Sequence, residues 1–442
     1  MISLSASPLD LPAQDAERQA LRKAARASFM GNFVEWFDYA AYGYLATIIA
    51  ATFFPDTDKT TGLLATFAVF ALSFIVRPLG GVVWGHFGDR HGRRNALSWS
   101  ILIMSVSTFC IGILPSHAQI GVWAPCLLLL IRLVQGFSAS GEYAGASAFL
   151  AEYAPAGRRG LYTSIVPAST AAGLLFGAAF VATLHALLST EALHSWGWRL
   201  PFLLAAPFGL VGRYIRMSLQ DTPKFLEMEQ RLESKGCAGS TPLRELLTLH
   251  RRSVLIGIGV TCLNAVAFYL LLSYMPTYLS NEMGMSERDS FIASTVSLAT
   301  YIGLIFLMGR LSDRFGRKTM LLIASLLFLG LTVPLFSLLD HQPLLVILAI
   351  QILFGAMLAM NDGTLPCLLA EIFPTRVRFS GFALSFNIAN ALFGGTAPFI
   401  ATWLIQVTGN TLAPAGYLLA AAAVALVAML ACRETAHRAL QD

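Results

Sequence analysis

Apolar residues in this chain gather in long runs separated by short polar stretches. The runs have neither the alternation of a half-buried strand nor the single stripe of a surface helix. They predict helical spans near 29–54, 63–86, 96–115, 121–153, 161–185, 199–217, 253–280, 289–308, 319–339, 343–371, 380–405 and 412–432. About twenty apolar residues in a helix cross the ~30 Å hydrocarbon core of a bilayer. A chain in lipid must satisfy its own backbone hydrogen bonds, so helices or a closed barrel are the only spanning structures. The roughly ten-residue alternating segments of a barrel are not seen. The expected architecture is an all-α membrane protein with twelve transmembrane helices.

Between spans six and seven lies the one long polar stretch. Thr222-Pro223 and Thr241-Pro242 within it each resemble an N-cap followed by proline at the first helical position. The chain is therefore read as a segment 1–28, a six-helix half 29–217, a linker of short surface helices 218–252, a second six-helix half 253–432 and a short tail 433–442.

Of the 442 residues, 56% are hydrophobic and 12% charged, against roughly 25% charged in soluble domains. The charges are lopsided. Arg18, Arg22, Lys23, Arg26, Arg90, Arg93, Arg94, Arg158, Arg159, Arg251, Arg252, Arg314, Arg317, Lys318, Arg376, Arg378, Arg433 and Arg438 fall on one side of the predicted bilayer. Lys59, Arg199 and Arg288 fall on the other. The positive-inside rule puts the first set, and both termini, in the cytoplasm. It also accounts for the net charge of +5 without a nucleic-acid partner. The first 28 residues carry no apolar core, so no cleavable signal peptide is expected. Cys110, Cys126, Cys237, Cys262, Cys367 and Cys432 are scattered without metal-ligand spacing and read as small buried hydrophobes.

An internal repeat follows. Gly85-His86-Phe87-Gly88-Asp89-Arg90-His91-Gly92-Arg93-Arg94 ends span two, and Gly309-Arg310-Leu311-Ser312-Asp313-Arg314-Phe315-Gly316-Arg317-Lys318 ends span eight, 224 residues later. Ala151-Glu152 with Pro155 returns as Ala370-Glu371 with Pro374 at a spacing of 219. Two separate signals at nearly one offset make the chain a tandem of two similar halves. Parallel repeats of this kind let two bundles rock about a site between them.

The doubled G-x-x-x-D-R-x-G-R-R/K pattern resembles the signature of the major facilitator superfamily. Gly31-Asn32-Phe33-Val34-Glu35-Trp36-Phe37-Asp38, Arg77-Pro78-Leu79-Gly80-Gly81, Gln135-Gly136-Phe137-Ser138 with Gly141-Glu142-Tyr143, and Trp196-Gly197-Trp198-Arg199-Leu200-Pro201-Phe202 are similar to its metabolite:proton symporters. Ser105–Gly112 and Ile120–Pro125 look closest to the proline/betaine members, while α-ketoglutarate and citrate members share most other motifs. The resemblance implies a multi-pass protein of the bacterial inner membrane that moves a small metabolite with protons. It further implies that the motif residues Gly85, Asp89, Arg90, Gly92, Arg93, Arg94, Gly309, Asp313, Arg314, Gly316, Arg317 and Lys318 latch the cytoplasmic helix ends. Osmosensing members carry a long coiled-coil tail, and the short stretch 433–442 speaks against that device.

Ionisable side chains inside spans need partners or a wet cavity, at roughly 2.5–3.5 kcal/mol each. Glu35, Asp38, Arg77, Arg132, Glu142 and Asp362 qualify, and their mixed signs suggest internal pairing. In span four, Arg132, Gln135 and Glu142 share one face amid small residues. Desolvation penalises a charged carboxyl in such a pocket, so Glu142 is a candidate proton carrier, with Glu35 and Asp38 beside it. The alternative is a static ion pair that fastens helices. Glu142 and Arg132 lie too far apart on one helix to touch, so Arg77 is the expected partner of Glu142, and Glu35 or Asp38 that of Arg132. Arg77 and Arg132 read as the only fully intramembrane basic residues, suited to capture a carboxylate. Asn32, Glu35, Tyr39 and Tyr42 form a stripe on span one that suits a cationic group. Asn264, Phe268, Leu271, Tyr274 and Tyr278 in span seven, and Asn387, Asn390 and Gly394 in span eleven, could complete the cavity. For each asparagine the competing role is interhelical glue.

These residues point to a proton-coupled symporter of a small carboxylate-bearing metabolite: a proline or betaine osmolyte first, an organic acid second. It would act as a monomer in the lipid bilayer. A drug-efflux antiporter would prefer a larger, more apolar cavity. A membrane sensor would need a signalling domain, and a membrane enzyme a nucleophile or metal cluster. Neither is legible, and no G-x-x-x-x-G-K-S/T phosphate loop implicates ATP or another cofactor.

Overall fold

The computed structural model of the chain describes residues 11–55, 59–234, 242–340 and 342–441, all of them helix or connecting turn. Its long helices are α1 (Leu11–Tyr44, continued by Ala46–Phe53), α2 (Lys59–Ile75 and Arg77–His91), α3 (Arg93–Ile113), α4 (Trp123–Ala139 and Glu142–Tyr153), α5 (Arg159–Thr163 and Ile165–Leu187) and α6 (Leu200–Met217). The second half holds α7 (Arg251–Phe268 through Met275–Asn281), α8 (Glu287–Phe315), α9 (Arg317–Ser337), α10 (Leu344–Asp362 and Leu365–Glu371), α11 (Arg378–Ala389 through Ala397–Thr408) and α12 (Ala413–Ala431). Among the described residues, ten of these are long and apolar enough to cross a membrane. The other two, α1 and α6, are helical over the expected stretches but carry Glu35 and Asp38, and Arg213 and Arg216. Large apolar side chains such as Ile75, Leu345 and Phe399 lie exposed on the outer surface, where lipid would cover them.

Two departures from the sequence reading bear on function. The signature stretches are not loops: α2 and α8 continue as helix to His91 and Phe315, beyond the expected ends at 86 and 308. Gly92 (φ 94°) and Gly316 (φ 101°) then turn the chain, using backbone angles that favour glycine. In addition, several spans are interrupted at depth. Helix α4 breaks between Ala139 and Glu142, α10 between Asp362 and Leu365, and α7 and α11 widen into π-helix at Tyr269–Tyr274 and Asn390–Gly394. Such irregularities free backbone groups and mark functional positions.

The linker forms two helices, Pro223–Ser234 and Pro242–Leu249. Thr222 caps the first, its Oγ1 accepting from the Phe225 N–H at 3.3 Å. Thr241 and Cys237 lie outside the described residues. The other five cysteines carry free thiols.

Candidate transport site and gate

Away from the signature end, buried charged side chains of the first half form three clusters among the described residues. In the first, Arg77 begins the second segment of α2 and donates to Glu35 and to the Tyr39 hydroxyl of α1. Its guanidinium also lies over the Phe74 ring at 4.6 Å. In the second, Arg132 donates to Asp38 at 2.8 Å and to Gln135 at 2.6 Å. Gln135 in turn donates to Asp38 at 2.6 Å and to Thr108 at 2.7 Å. The Arg132 guanidinium stacks 3.7 Å from the Tyr42 ring centroid, and Tyr42 donates to the Thr66 carbonyl. Of the two partners the sequence offered Arg132, Glu35 and Asp38, the structure selects Asp38 and gives Glu35 to Arg77.

The third cluster corrects an expectation. Glu142 is held at both oxygens by Arg216, not by Arg77. Arg216 sits in the last turn of α6 and also donates to the Leu97 carbonyl at 2.8 Å and the Ala27 carbonyl at 3.2 Å. Arg77 and Arg132 are therefore not the only buried cations of the spans. The long arginine stem lets a residue at a helix end place its charge inside the bundle. Gly31 permits the approach: a Cβ there would collide with the Glu142 carboxylate and Arg216.

Several expected lining residues lie elsewhere. Asn32 leaves the α1 stripe and donates to Val166 O, Ser169 and Thr170 of α5 at 2.9, 3.0 and 2.6 Å, so it fastens helices. Asn390 donates to the Phe386 carbonyl of its own helix at 2.9 Å. Asn387 crosses between halves to the Ser140 carbonyl at 2.8 Å. Tyr274 accepts from Thr402, and Asn264 faces Asp362. What the second half brings to the Arg77 cluster is aromatic. Phe268 and Tyr269 meet Trp36 at ring distances of 5.2 and 6.5 Å, and Tyr269 meets Phe74 at 6.0 Å. Glu35 Oε2, Trp36 Nε1, Asp38 Oδ1, Arg77 Nε, and Arg132 Nε and Nη2 are buried here without a partner. Buried polar atoms are almost always satisfied, so this cluster is where a polar ligand or water belongs.

At the signature end, two latches tie the halves together. Asp89 accepts from the Phe379 and Ser380 N–H groups of α11 at 3.1 and 2.8 Å, and Asp313 from the Gly160 and Leu161 N–H groups of α5 at 2.8 and 2.9 Å. A carboxylate is stabilised at a helix N-terminus. Arg93 pairs with Asp89 and Glu152, and Arg317 with Asp313 and Glu371. Arg378 crosses to Glu152 at 2.6 Å, and Arg159 to Glu371 at 3.4 Å. Close backbone approach supports this. A Cβ on Gly85 would meet Ser380, and one on Gly309 would meet the Gly160 carbonyl. Arg90 and Arg314 are exposed and stand outside the latch. Arg94 donates to the Leu219 carbonyl and Lys318 to the Cys432 carbonyl.

Glu152, Glu371, Arg159 and Arg378 were not singled out from sequence, although the repeated Ala-Glu-x-x-Pro carried the first two. A third repeat was missed altogether. Asp221 accepts from the Arg93 and Arg94 N–H groups at 3.1 and 3.3 Å, and Glu434 from those of Arg317 and Lys318 at 2.9 and 3.1 Å. The next residues, Thr222 and Thr435, donate to Glu152 and Glu371. Burial holds the Asp221 carboxyl above its ordinary range despite these donors.

Two helical halves, a buried charged site at their aromatic interface and a symmetric latch define a transporter that works by alternating access. The sequence profile described as "Sugar (and other) transporter" matches residues 23–239 and 230–442, so the chain belongs to that family. It is 41% identical over 429 residues to the glycine betaine/proline/ectoine/pipecolic acid transporter of Dickeya dadantii, covering 95% of this chain and 85% of that one. It is 39% identical to the proline/betaine transporter of Escherichia coli with the same coverage. The fold is that of the major facilitator superfamily. The proton:xylose symporter bound to 6-bromo-6-deoxy-D-glucose superposes with a TM-score of 0.79 at 17% identity, covering 96% of this chain and 98% of that one.

Proposed function

We propose that this protein imports a small zwitterionic osmolyte of the proline, betaine or ectoine type together with protons. One observation carries the reading. A buried guanidinium with an unpartnered donor, Arg77, stands among Trp36, Tyr39, Phe74 and Tyr269 at the interface of the halves. A carboxylate suits the arginine, and a quaternary or secondary ammonium suits the rings. Proline and glycine betaine, for which the relatives are named, have both groups, and ectoine pairs its carboxylate with a delocalised amidinium that also suits the rings. A larger apolar drug would leave the same charged groups unpaired.

The Glu35–Arg77 pair offers a coupling route. A proton on Glu35 releases Arg77 to take the substrate carboxylate, so proton and substrate bind together. Asp38 and Arg132 offer the same exchange with a second guanidinium. Glu142 has no unpartnered oxygen and fits the fastening role better. The arginine-rich end, with both termini, is cytoplasmic by the positive-inside rule, in a bacterial inner membrane. Each chain holds a complete site and acts as a monomer.

The test is uptake into proteoliposomes with an imposed pH gradient, screened over proline, glycine betaine, ectoine, α-ketoglutarate and citrate. Accumulation of the first three that collapses with a protonophore is expected. Glu35→Gln should abolish accumulation but keep counterflow. Uptake indifferent to both the gradient and the protonophore would sink the symport reading.

A further inference from the structure

Eight acidic residues are buried among the described residues: Glu35, Asp38, Asp89, Glu142, Glu152, Asp313, Asp362 and Glu371. Seven have a guanidinium within ion-pair distance. Asp362 alone has none. It lies at the break in α10, 2% exposed. Its Oδ1 accepts from the Tyr143 hydroxyl of α4 at 2.9 Å, and its Oδ2 accepts from the Tyr301 hydroxyl of α8. Asn264 of α7 faces it as well. On its own helix, the neighbouring Asn361 has neither amide atom partnered. The nearest acid along α4, Glu142, is engaged by Arg216.

We propose that Asp362 is a proton-binding site of the transport cycle, separate from the acids of the first half, and that its protonation loosens the contact between the halves. The coupling to transport rests on the symport reading above. At each of the seven paired acids a proton must displace a guanidinium, as the symport reading requires of Glu35. Two phenols stabilise a carboxylate without neutralising it, and an uncompensated buried charge is expensive. A proton therefore competes least against other partners at Asp362.

Position makes the proton consequential. Tyr143 and Asp362 are 219 residues apart, the same spacing that relates Glu152 to Glu371. Positions equivalent in the two halves thus touch each other, which places their contact on the pseudo-twofold axis. Tyr143 also stacks on Phe386 of α11, with ring centroids 4.3 Å apart. The ionised carboxylate accepts from both phenols, across the interface and within the second half, and such charge-assisted bonds are roughly twice as strong as neutral ones. Once protonated, the acid loses the charge that strengthens both bonds, and the oxygen that takes the proton becomes a donor with less capacity to accept, so the tie across the interface weakens. A proton entering from the outer side would weaken the tie beside the latch and favour inner opening. Its release to the cytoplasm would restore the tie for the return. The step moves one proton from water to a carboxylate oxygen and back to water.

Infrared difference spectroscopy of the purified, lipid-reconstituted protein tests the site without requiring transport. The protonated-carboxyl carbonyl band is followed across pH in wild type, Asp362→Asn, Glu142→Gln and Tyr301→Phe. A titrating band that is absent in Asp362→Asn, kept in Glu142→Gln and moved to higher pH in Tyr301→Phe is expected. The Tyr301→Phe shift decides the matter should Asp362→Asn fold poorly. A wild-type spectrum unchanged by Asp362→Asn, or unmoved by Tyr301→Phe, overturns the proposal. In vesicles, Asp362→Asn should lose at least tenfold in pH-driven accumulation while counterflow persists, and wild-type accumulation in this variant would also overturn it. A protein that titrates at Asp362 yet shows no proton-driven uptake supports the proton site and refutes the symport reading instead.

Discussion

Glu142 and Arg216 lock together with both carboxylate oxygens engaged, one residue from the middle of a bundle and the other from the last turn of α6. Removing the acid leaves a guanidinium buried against the Leu97 and Ala27 carbonyls without its counter-charge. Breaking a buried pair from one side costs about 3–5 kcal/mol. Glu142→Gln is therefore expected to lower the unfolding midpoint in detergent, and Arg216→Met in the same chain to recover part of it. In the folded fraction, pH-driven accumulation should survive. A stable Glu142→Gln protein that keeps counterflow but cannot accumulate would return Glu142 to the proton path.

Asp89 acts far from the Arg77 cluster, at the start of α11 in the other half. Asp89→Asn keeps the shape but removes the charge that favours a helix N-terminus, an interaction of up to ~2 kcal/mol when partly buried. Turnover should change several-fold, while substrate affinity, measured by direct binding to purified protein, stays near the wild-type value. A large loss of affinity with unchanged turnover would refute a gating role.

How far the sequence reached follows from what each feature depends on. Span positions rest on length and apolarity, and all twelve expected stretches are helical; the bounds depart by more than a few residues at the signature ends and at α1, whose helix already runs from Leu11 through the polar residues ahead of the expected start at 29. At the signature ends the polar composition suggested loops, but the α2 and α8 helices run on until a glycine with positive φ stops them. The partner of Arg132 could be narrowed to Glu35 or Asp38 because few charges occur in those spans, but the choice of Asp38 needed the fold. The partner of Glu142 was not legible, since Arg216 looked like part of a polar helix end and only the fold shows where its stem leads. Asn32 shares the helical stripe of Glu35 and Tyr39 by spacing alone, yet the small residues of α5 draw its amide sideways. The lone state of Asp362 depends on which helices surround it, information that no single stretch contains.

Gly92 offers a sharper test of the turn between α2 and α3. Its φ of 94° disfavours any side chain, and a Cβ there would run into the Asp221 carboxylate that caps α3. Strain of this kind amounts to about 1–3 kcal/mol. Gly92→Ala should lower thermal stability measurably, whereas Gly157→Ala, where a Cβ meets nothing within 4 Å, should leave it unchanged. Equal stability of the two variants would mean that the turn is not under this constraint.

The residues after α12 are part of the latch. Glu434 accepts from the Arg317 and Lys318 N–H groups, and Thr435 donates to Glu371 at 2.7 Å. The Arg438 carbonyl accepts from Arg159 at 2.9 Å, while the Gln441 carbonyl accepts from the Thr375 N–H at 2.9 Å and from Arg378 at 3.1 Å. Arg159 and Arg378 both cross between halves, as does Arg93 to the Thr375 carbonyl, so this segment holds two of the crossing cations in the closed arrangement. Truncation after Cys432 removes these bonds together and should shift the population toward an open inner end. A cysteine introduced at Ser380, where Asp89 binds, reports the change in a background lacking the native cysteines. In inside-out vesicles its labelling by a membrane-impermeant thiol reagent should rise several-fold in the truncated protein. Labelling as slow as in the full chain would show that the two aspartate latches hold the end closed without help from the tail.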